Sequence, residues 1–339
     1  MMEFRYIGKT GLRVSPICLG TMTFGSNIDK KEAFLVMDMA YDRGINFFDT
    51  AEIYPVPPEM ETVGITEEIV GEWLRTKDRD SVILATKVVG AASGWFVPPV
   101  RFGLTSIDAH HINKAVEGSL KRLKTDYIDL YQMHWPDAIV PKEESMEAFD
   151  GLVRSGKVRY LGTSNDTAYG TTKANMVCER HGYKRFESIQ NNFSLLNRRF
   201  LDEMVQMCRE ESISLLPYSP MAGGVLSGKY NKDPHASGRF TRYSNSPEAR
   251  VRKMAERFLN QKTLASTARY VEIAADLAIA PATLAIAWSK QFDFVASTII
   301  GANSCSQLEE SLAALELQLS DETLARCDEI HRQILYPMG

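Results

Sequence analysis

The sequence predicts an α/β fold in which eight parallel strands close into a (β/α)8, or TIM, barrel. Three observations lead there. Short apolar runs rich in β-branched residues alternate with segments of helical periodicity along almost the whole chain. From Pro16 onward there are about eight such strand–helix units, enough to close a sheet on itself instead of leaving it open. Ionisable side chains stand at the carboxyl ends of three consecutive strands, where such barrels assemble their sites. An N-terminal hairpin and long strand-end loops complete the expectation. The chain, 1–339, reads as a single domain without a linker or low-complexity stretch.

Residues 4–6 and 12–14 flank the turn Gly8-Lys9-Thr10-Gly11 and read as a hairpin. The first barrel strand, 16–19, runs into Gly20-Thr21-Met22-Thr23-Phe24-Gly25. That segment lacks both the Lys-Ser/Thr of a P-loop and the Gly-x-Gly-x-x-Gly spacing of a Rossmann site. Residues 30–43 carry Ala33, Phe34, Met37, Ala40 and Tyr41 at helical spacing, and Gly44 stops the helix. The following strands are expected at 45–48, 81–87, 127–134, 158–164, 187–193, 213–219 and 296–301. Their helices are expected at 66–77, 108–124, 142–155, 167–181, 200–211, 263–278 and 306–315. An extra helix at 281–290 precedes the last strand, and another at 321–335 follows the series. Residues 89–107 and 231–262 fit no repeat; they are expected as loops over the carboxyl face.

The 339 residues are 44% hydrophobic and 24% charged, ordinary for a soluble enzyme. A net charge of −4 provides no basic footprint for nucleic acid. No run is long enough to span a membrane, and the start MMEFRYIGKTGLR has no apolar signal segment. Five scattered cysteines without C-x-x-C spacing point to reduced thiols, so a cytoplasmic location is expected. No metal is expected: His110-His111 has no third ligand at metal spacing and reads as a solvated helix start.

The chemistry centres on residues 44–58, GINFFDTAEIYPVPP, which deliver Asp49 to a strand end and Tyr54 to the loop beyond. Alternation puts Ile45, Phe47 and Asp49 on one face. It does the same for Ile83, Ala85 and Lys87, and for Ile128, Leu130, Gln132 and His134. Each mainly apolar set ends in one ionisable group. Taken singly, Asp49 caps a turn or neutralises Lys87, Lys87 snorkels to solvent, and His134 is a satisfied barrel-end histidine. Supplied together by consecutive strands, with Tyr54 beside them, they suggest a proton-donating site.

These four residues resemble the catalytic tetrad of the aldo-keto reductases. The likeness runs through GINFFDTAEIY, LATK, YIDLYQMHWP, GKVRYLGTSN, IQNNFSLLNR, PYSPMAGGVLSGKY and STIIGA, covering nearly the whole chain. The run AEIYPVPPEMETVGITEEIVGEWL is most similar to the Tas-like branch. The resemblance implies NADPH-dependent, metal-free reduction of an aldehyde or ketone to an alcohol. Tyr54 would donate the proton, Lys87 would lower its pKa, Asp49 would hold Lys87, and His134 would orient the carbonyl.

It also implies cofactor contacts. Gly20, Thr21, Met22, Asp49, Pro220 and Ile300 would be among the residues that bind the cofactor. Ser164, Asn165 and Gln190 would hold the nicotinamide carboxamide, with Tyr218 stacked on its ring. Ser219, Gly223, Leu226, Ser227 and Lys229 resemble the pyrophosphate loop, and Gly301, Gln307 and Glu310 the adenosine end. Arg239 is a candidate for the 2′-phosphate, with Lys229 alongside. Ser311 stands where relatives often carry Asn. Taken alone, Tyr218 is also a core aromatic before a proline turn, Asn165 a helix cap and Arg239 an ordinary loop arginine. Phe24, Trp95 and Trp135, with Phe96, could line an aromatic carbonyl pocket. The expected partner is a small carbonyl substrate, with no nucleic acid or membrane, and the chain a monomer or weak homo-oligomer. The alternative is a cofactor-binding regulatory subunit of the potassium-channel beta type, which shares this fold.

Overall fold

The computed structural model describes residues 3–91 and 97–338. Strands β1 (Arg5–Tyr6) and β2 (Arg13–Val14) form the antiparallel hairpin. The barrel strands follow: β3 (Ile17–Gly20), β4 (Phe47–Asp49), β5 (Ile83–Val88), β6 (Ile128–Met133), β7 (Val158–Ser164), β8 (Phe186–Gln190), β9 (Ser214–Leu215) and β10 (Thr298–Ile300). Each pairs in parallel with its predecessor from β3 to β9, and β10 pairs with β3. Parallel bridges from Leu215 to Val295 and from Tyr218 to Ile299 close the ring.

The helices in chain order are α1 (Lys30–Asp42), α2 (Ile65–Leu74), α3 (Ala109–Leu123), α4 (Lys142–Arg154), α5 (Ala168–His181), α6 (Met204–Glu211), α7 (Lys229–Lys232), α8 (Arg239–Ser244), α9 (Ala249–Phe258), α10 (Gln261–Asp276), α11 (Pro281–Lys290), α12 (Cys305–Leu312) and α13 (Asp321–Gln333). Local chemistry sets their ends. Asp108 caps α3 by accepting the His111 N–H at 2.8 Å, and left-handed Lys124 ends it. The face between, Ile112, Ala115, Val116, Ser119 and Leu123, repeats at helical spacing and is buried. α2 packs so closely on α3 that a Cβ at Gly71 would stand 2.4 Å from the Arg122 carbonyl oxygen.

Two expectations need correction. The stretch 231–262 is not a structureless loop: it contains α8 and α9, and Phe240 and Ala255 bury apolar surface against the barrel. Short helices separated by Pro, Gly and Asn lack the length that makes periodicity visible. Ile45 and Ile128 also leave the inward face, packing instead in the outer, helix-facing core. Ile45 precedes β4, and Ile128 is the first residue of β6, so neither is bound by the alternation deeper in the strand.

The barrel interior holds Cys18, Phe47, Ala85, Leu130, Leu216, Ala296 and Ile299, and the hairpin plugs its amino end with Ile7, Leu12 and Val14. Gly8 N–H donates to Ser214 Oγ at 2.8 Å and Gly11 N–H to Tyr160 Oη at 3.1 Å, fixing that plug. With the amino end closed, the inward residues at the carboxyl end face the opening. Among the described residues no single helix is long and apolar enough to cross a membrane.

Candidate active site

Asp49, the last residue of β4, is 2% exposed, and Lys87, on the next strand, is completely buried. Lys87 Nζ donates to Asp49 Oδ1 at 2.5 Å and to the Thr50 carbonyl oxygen at 2.7 Å. The other carboxylate oxygen, Oδ2, accepts the amide N–H groups of Gln132 at 3.0 Å and Gln190 at 2.9 Å. A buried carboxylate is thereby met by a cation and two amides. Burial, the largest single influence, pulls the Lys87 pKa down, but the charges and hydrogen bonds of Asp49 and Tyr54 together outweigh it, and the net direction is upward. Lys87 stays an ammonium.

Tyr54 stands over this pair, its ring centroid 5.0 Å from Lys87 Nζ. Burial raises the phenol pKa, the Lys87 charge opposes that, and Asp49 adds to it; the net direction is up. The expected net lowering by Lys87 is therefore not what the environment produces. The ammonium pulls in the predicted direction, but a desolvated phenolate costs more than it returns.

His134 follows β6 and packs edge-to-face against Tyr54, with centroids 5.8 Å apart. It also stacks on Trp135 at 3.9 Å and 9°. Burial, with the Lys87 charge, holds its pKa well below the usual imidazole range, so the ring is neutral. Its buried Nδ1 has no hydrogen-bond partner. Asp49 and Lys87 from two strands, His134 just past a third and Tyr54 from a loop thus come together.

The expected cofactor residues form a contiguous rim at the ends of β7 to β10. Asn165 Nδ2 donates to the His134 carbonyl at 3.0 Å, and Tyr218 Oη donates to Asn165 Oδ1 at 2.8 Å. Ser164 Oγ donates to the Gln190 carbonyl at 2.7 Å. Gln190 turns its amide N–H groups inward to Asp49 and to Gln132 Oε1. Backbone at the rim is left-handed at Asn165 (φ 54°), Ser219 (φ 55°), Ala222 (φ 47°), Gly223 (φ 65°) and Gly224 (φ 98°). Non-glycine residues there cost about 1–3 kcal/mol each and cluster at ligand sites. A Cβ at Gly224 or Gly301 would meet open space, so a ligand can come close to the main chain.

Thr21 lies under Asp49, donating from Oγ1 to its carbonyl at 3.0 Å; Gly20 pairs with Asp49 in register, and Met22 follows in the mouth cluster. Pro220, Leu226 and Ile300 are buried, and Ser227 bonds back to the Gly224 carbonyl. Lys229 Nζ donates to the Ser237 carbonyl at 2.9 Å. Arg239 opens α8 with its Nη1 3.8 Å from where a Cβ on Gly223 would stand, and its charge reaches Tyr54. Gln307 Oε1 accepts the Asn303 N–H at 3.0 Å, while Glu310 is exposed. Ser311 is buried and donates to the Gln307 carbonyl at 3.1 Å, so its hydroxyl is turned into its own helix.

The pocket expectation divides. Trp135 lies in the mouth cluster with Tyr54, Val56 and Val100. Phe24 is fully buried in the outer core, so it is a packing residue and not a pocket wall. Its place beside a strand-end loop did not show which way the ring turns. Trp95 and Phe96 lie outside the described residues. Two further residues, Gln132 and Glu52, reach this region. Gln132 shares the parity of His134, a signal that was present. Glu52 carried no local signal, because its partner, Arg101, is remote in sequence.

A buried ammonium–carboxylate pair beneath a phenol and a neutral imidazole, at a barrel mouth bordered by accessible main chain, defines a class of acid–base site. The chain belongs to the aldo/keto reductase family, whose family model matches residues 16–332. It is 36% identical to "Protein tas" of Escherichia coli strain K12, covering 99% of both chains. It is 37% identical to "Uncharacterized oxidoreductase YrpG" of Bacillus subtilis strain 168, covering 97% of this chain and 96% of that one. It is also 33% identical to a "Probable voltage-gated potassium channel subunit beta" of Oryza sativa subsp. japonica, covering 93% and 92%. Family and relatives together support an oxidoreductase.

Proposed function

We propose that this protein is an NADPH-dependent carbonyl reductase, converting an aldehyde or ketone to an alcohol with Tyr54 as proton donor. The observation that carries the reading is the placement of Tyr54 against the Lys87–Asp49 pair and neutral His134. Bound NADPH would supply a hydride to the carbonyl carbon and leave as NADP+. As the C–O double bond opens, the oxygen takes the Tyr54 proton. The adjacent Lys87 ammonium stabilises the phenolate that remains, and Asp49 keeps Lys87 in place. His134, being neutral, donates a hydrogen bond to the carbonyl oxygen and does not compete as acid. Positioned general acid catalysis contributes about 10²–10⁴-fold. Orientation and preorganised charge supply the rest.

The left-handed rim and open space above Gly224 and Gly301 fit a dinucleotide running from Tyr218 toward Gln307. Lys229 and Arg239 fit its 2′-phosphate: a guanidinium reads a phosphate with paired hydrogen bonds, and a lysine adds a point charge. Arg239→Ala is expected to weaken NADPH binding by roughly 1.5–3 kcal/mol with little change for NADH. Titrating both cofactors at fixed ionic strength checks this; equal losses would mean that Arg239 orders the loop.

The deciding experiment follows NADPH oxidation with a panel of aldehydes and ketones. Carbonyl-dependent oxidation with one alcohol formed per NADPH is expected, in a cytoplasmic, metal-free enzyme. The similarity to channel beta subunits supports a second reading, a cofactor-binding regulatory subunit. Tight NADPH binding without turnover, together with association with a channel's cytoplasmic domain, would favour that reading instead.

A further inference from the structure

Glu52 lies between Asp49 and Tyr54 in sequence and is 2% exposed. One oxygen accepts the Val89 N–H at 2.7 Å, and the two oxygens accept the terminal N–H groups of Arg101 at 2.8 Å each. This paired geometry is the most directional that a carboxylate and a guanidinium can adopt. It ties the segment after β5 to the loop that carries Tyr54.

The segment needs such a tie. Arg101, Phe102 and Gly103 are successively left-handed, with φ of 49°, 56° and 73°. Two consecutive side-chain-bearing residues in that region are not self-supporting. Thr105 Oγ1 anchors the far end on the Gly90 carbonyl at 2.7 Å, and Ile107 N–H reaches Asp137 Oδ2 at 3.1 Å. Asp137 also accepts the Ile139 N–H at 2.8 Å, joining the loop after β6 to the same frame. Val100, directly before Arg101, packs in the cluster that contains Tyr54, Val56, Val89, Met22 and Trp135. Beyond it Val97, Phe102, Leu104 and Ile139 are strongly exposed apolar side chains on these tied loops.

Two consequences follow for the site. Glu52 holds Val100 as an apolar wall beside Tyr54. It also cancels the charge of the Arg101 guanidinium, which would otherwise attract acids. We propose that Glu52 is a positioning residue that makes this site select uncharged, apolar carbonyl compounds over carboxylate-bearing ones. The inference rests on the reductase reading and deepens it.

The test compares benzaldehyde with 4-carboxybenzaldehyde, which differ by one remote carboxylate. The wild type should prefer benzaldehyde in kcat/KM. Glu52→Gln uncovers the Arg101 charge, and the ratio should move about 10-fold or more toward 4-carboxybenzaldehyde, the scale of one charged hydrogen bond. The shift should lie in KM, with kcat for benzaldehyde changed by no more than about threefold. Arg101→Gln serves as the second variant should Glu52→Gln fail to fold. It uncovers the Glu52 carboxylate instead of the guanidinium, so the ratio should move the other way, further toward benzaldehyde. A ratio that moves toward 4-carboxybenzaldehyde in folded Arg101→Gln would overturn the proposal, since the charge of the pair would then not be what the site reads. An unchanged ratio in folded Glu52→Gln would overturn it too. A wild type that reduces neither aldehyde, nor any other carbonyl compound, would remove the reductase reading itself and this inference with it.

Discussion

Two buried carboxylates on nearby strands meet opposite fates. Asp129, near the amino end of β6, is 1% exposed and accepts from Arg79 at 2.7 Å, Arg159 at 2.5 Å and the Leu84 N–H at 3.0 Å. Its arginines reach outward, with 20% and 45% of their side chains exposed, and Arg79 spends its other donors on Thr125 and the Val82 and Tyr127 carbonyls. Asp49, at the carboxyl end of β4, is as buried, but its cation is buried as well. Beside it stand a phenol and an imidazole nitrogen without a partner. The first cluster is closed and joins strands; the second keeps hydrogen-bonding capacity at an opening. Burial of charge alone therefore does not mark a site: unspent donors and acceptors around it do. A recess of about 610 Å³ near the amino end, lined by Lys9, Arg159, Tyr160 and Arg185 among others, makes the same point, since no such acid–base set converges there.

The largest test of this contrast is Lys87→Met. It leaves Asp49 as an uncompensated buried charge, so a stability loss of about 3–5 kcal/mol is expected with loss of carbonyl reduction. Urea unfolding and turnover, measured together, check both; a stable variant of normal activity would erase the distinction. Tyr54→Phe comes next. Turnover should fall at least about 10²-fold while NADPH affinity and the unfolding midpoint stay near wild type, because only the hydroxyl is lost.

Asp129→Asn should act the other way, costing about 2 kcal/mol in urea unfolding with turnover per folded molecule unchanged. That figure sits below the range for a fully buried pair because Arg159 can regain water. A selective fall in kcat would link the amino end to the chemistry and break the comparison.

The smallest effect is on pH dependence. In the proposed reaction the active form carries a protonated Tyr54, whose pKa lies above its ordinary value because of burial, and a neutral His134, whose pKa burial holds well below its own. Reduction should therefore fall only as pH rises through a Tyr54 value above the ordinary phenol range, and should be flat across neutral pH. A limb near pH 6.5 in kcat would show that His134 titrates in the working range.

Much of this was legible in the chain because it is local. Strand 158–164 and helix 281–290 emerge where periodicity and flanking glycine or proline place them. Asp49, Lys87 and His134 were readable because alternation carries a known parity to a strand's end. The helices within 231–262 were not, since each is too short to show a period. Nor was the direction of the Phe24 ring, which turns into the outer core.

The sequence by itself determined the order of strands and helices and the family, and it named the four residues proposed for acid–base chemistry, because these rest on spacing and residue type. Only the tertiary structure decided that burial overrides Lys87 in setting the Tyr54 pKa, that Gln132 and Gln190 share Asp49, and that Glu52 meets Arg101. Each depends on how much water is excluded and which remote side chains arrive together. Those distances belong to the packed barrel and not to neighbours along the chain.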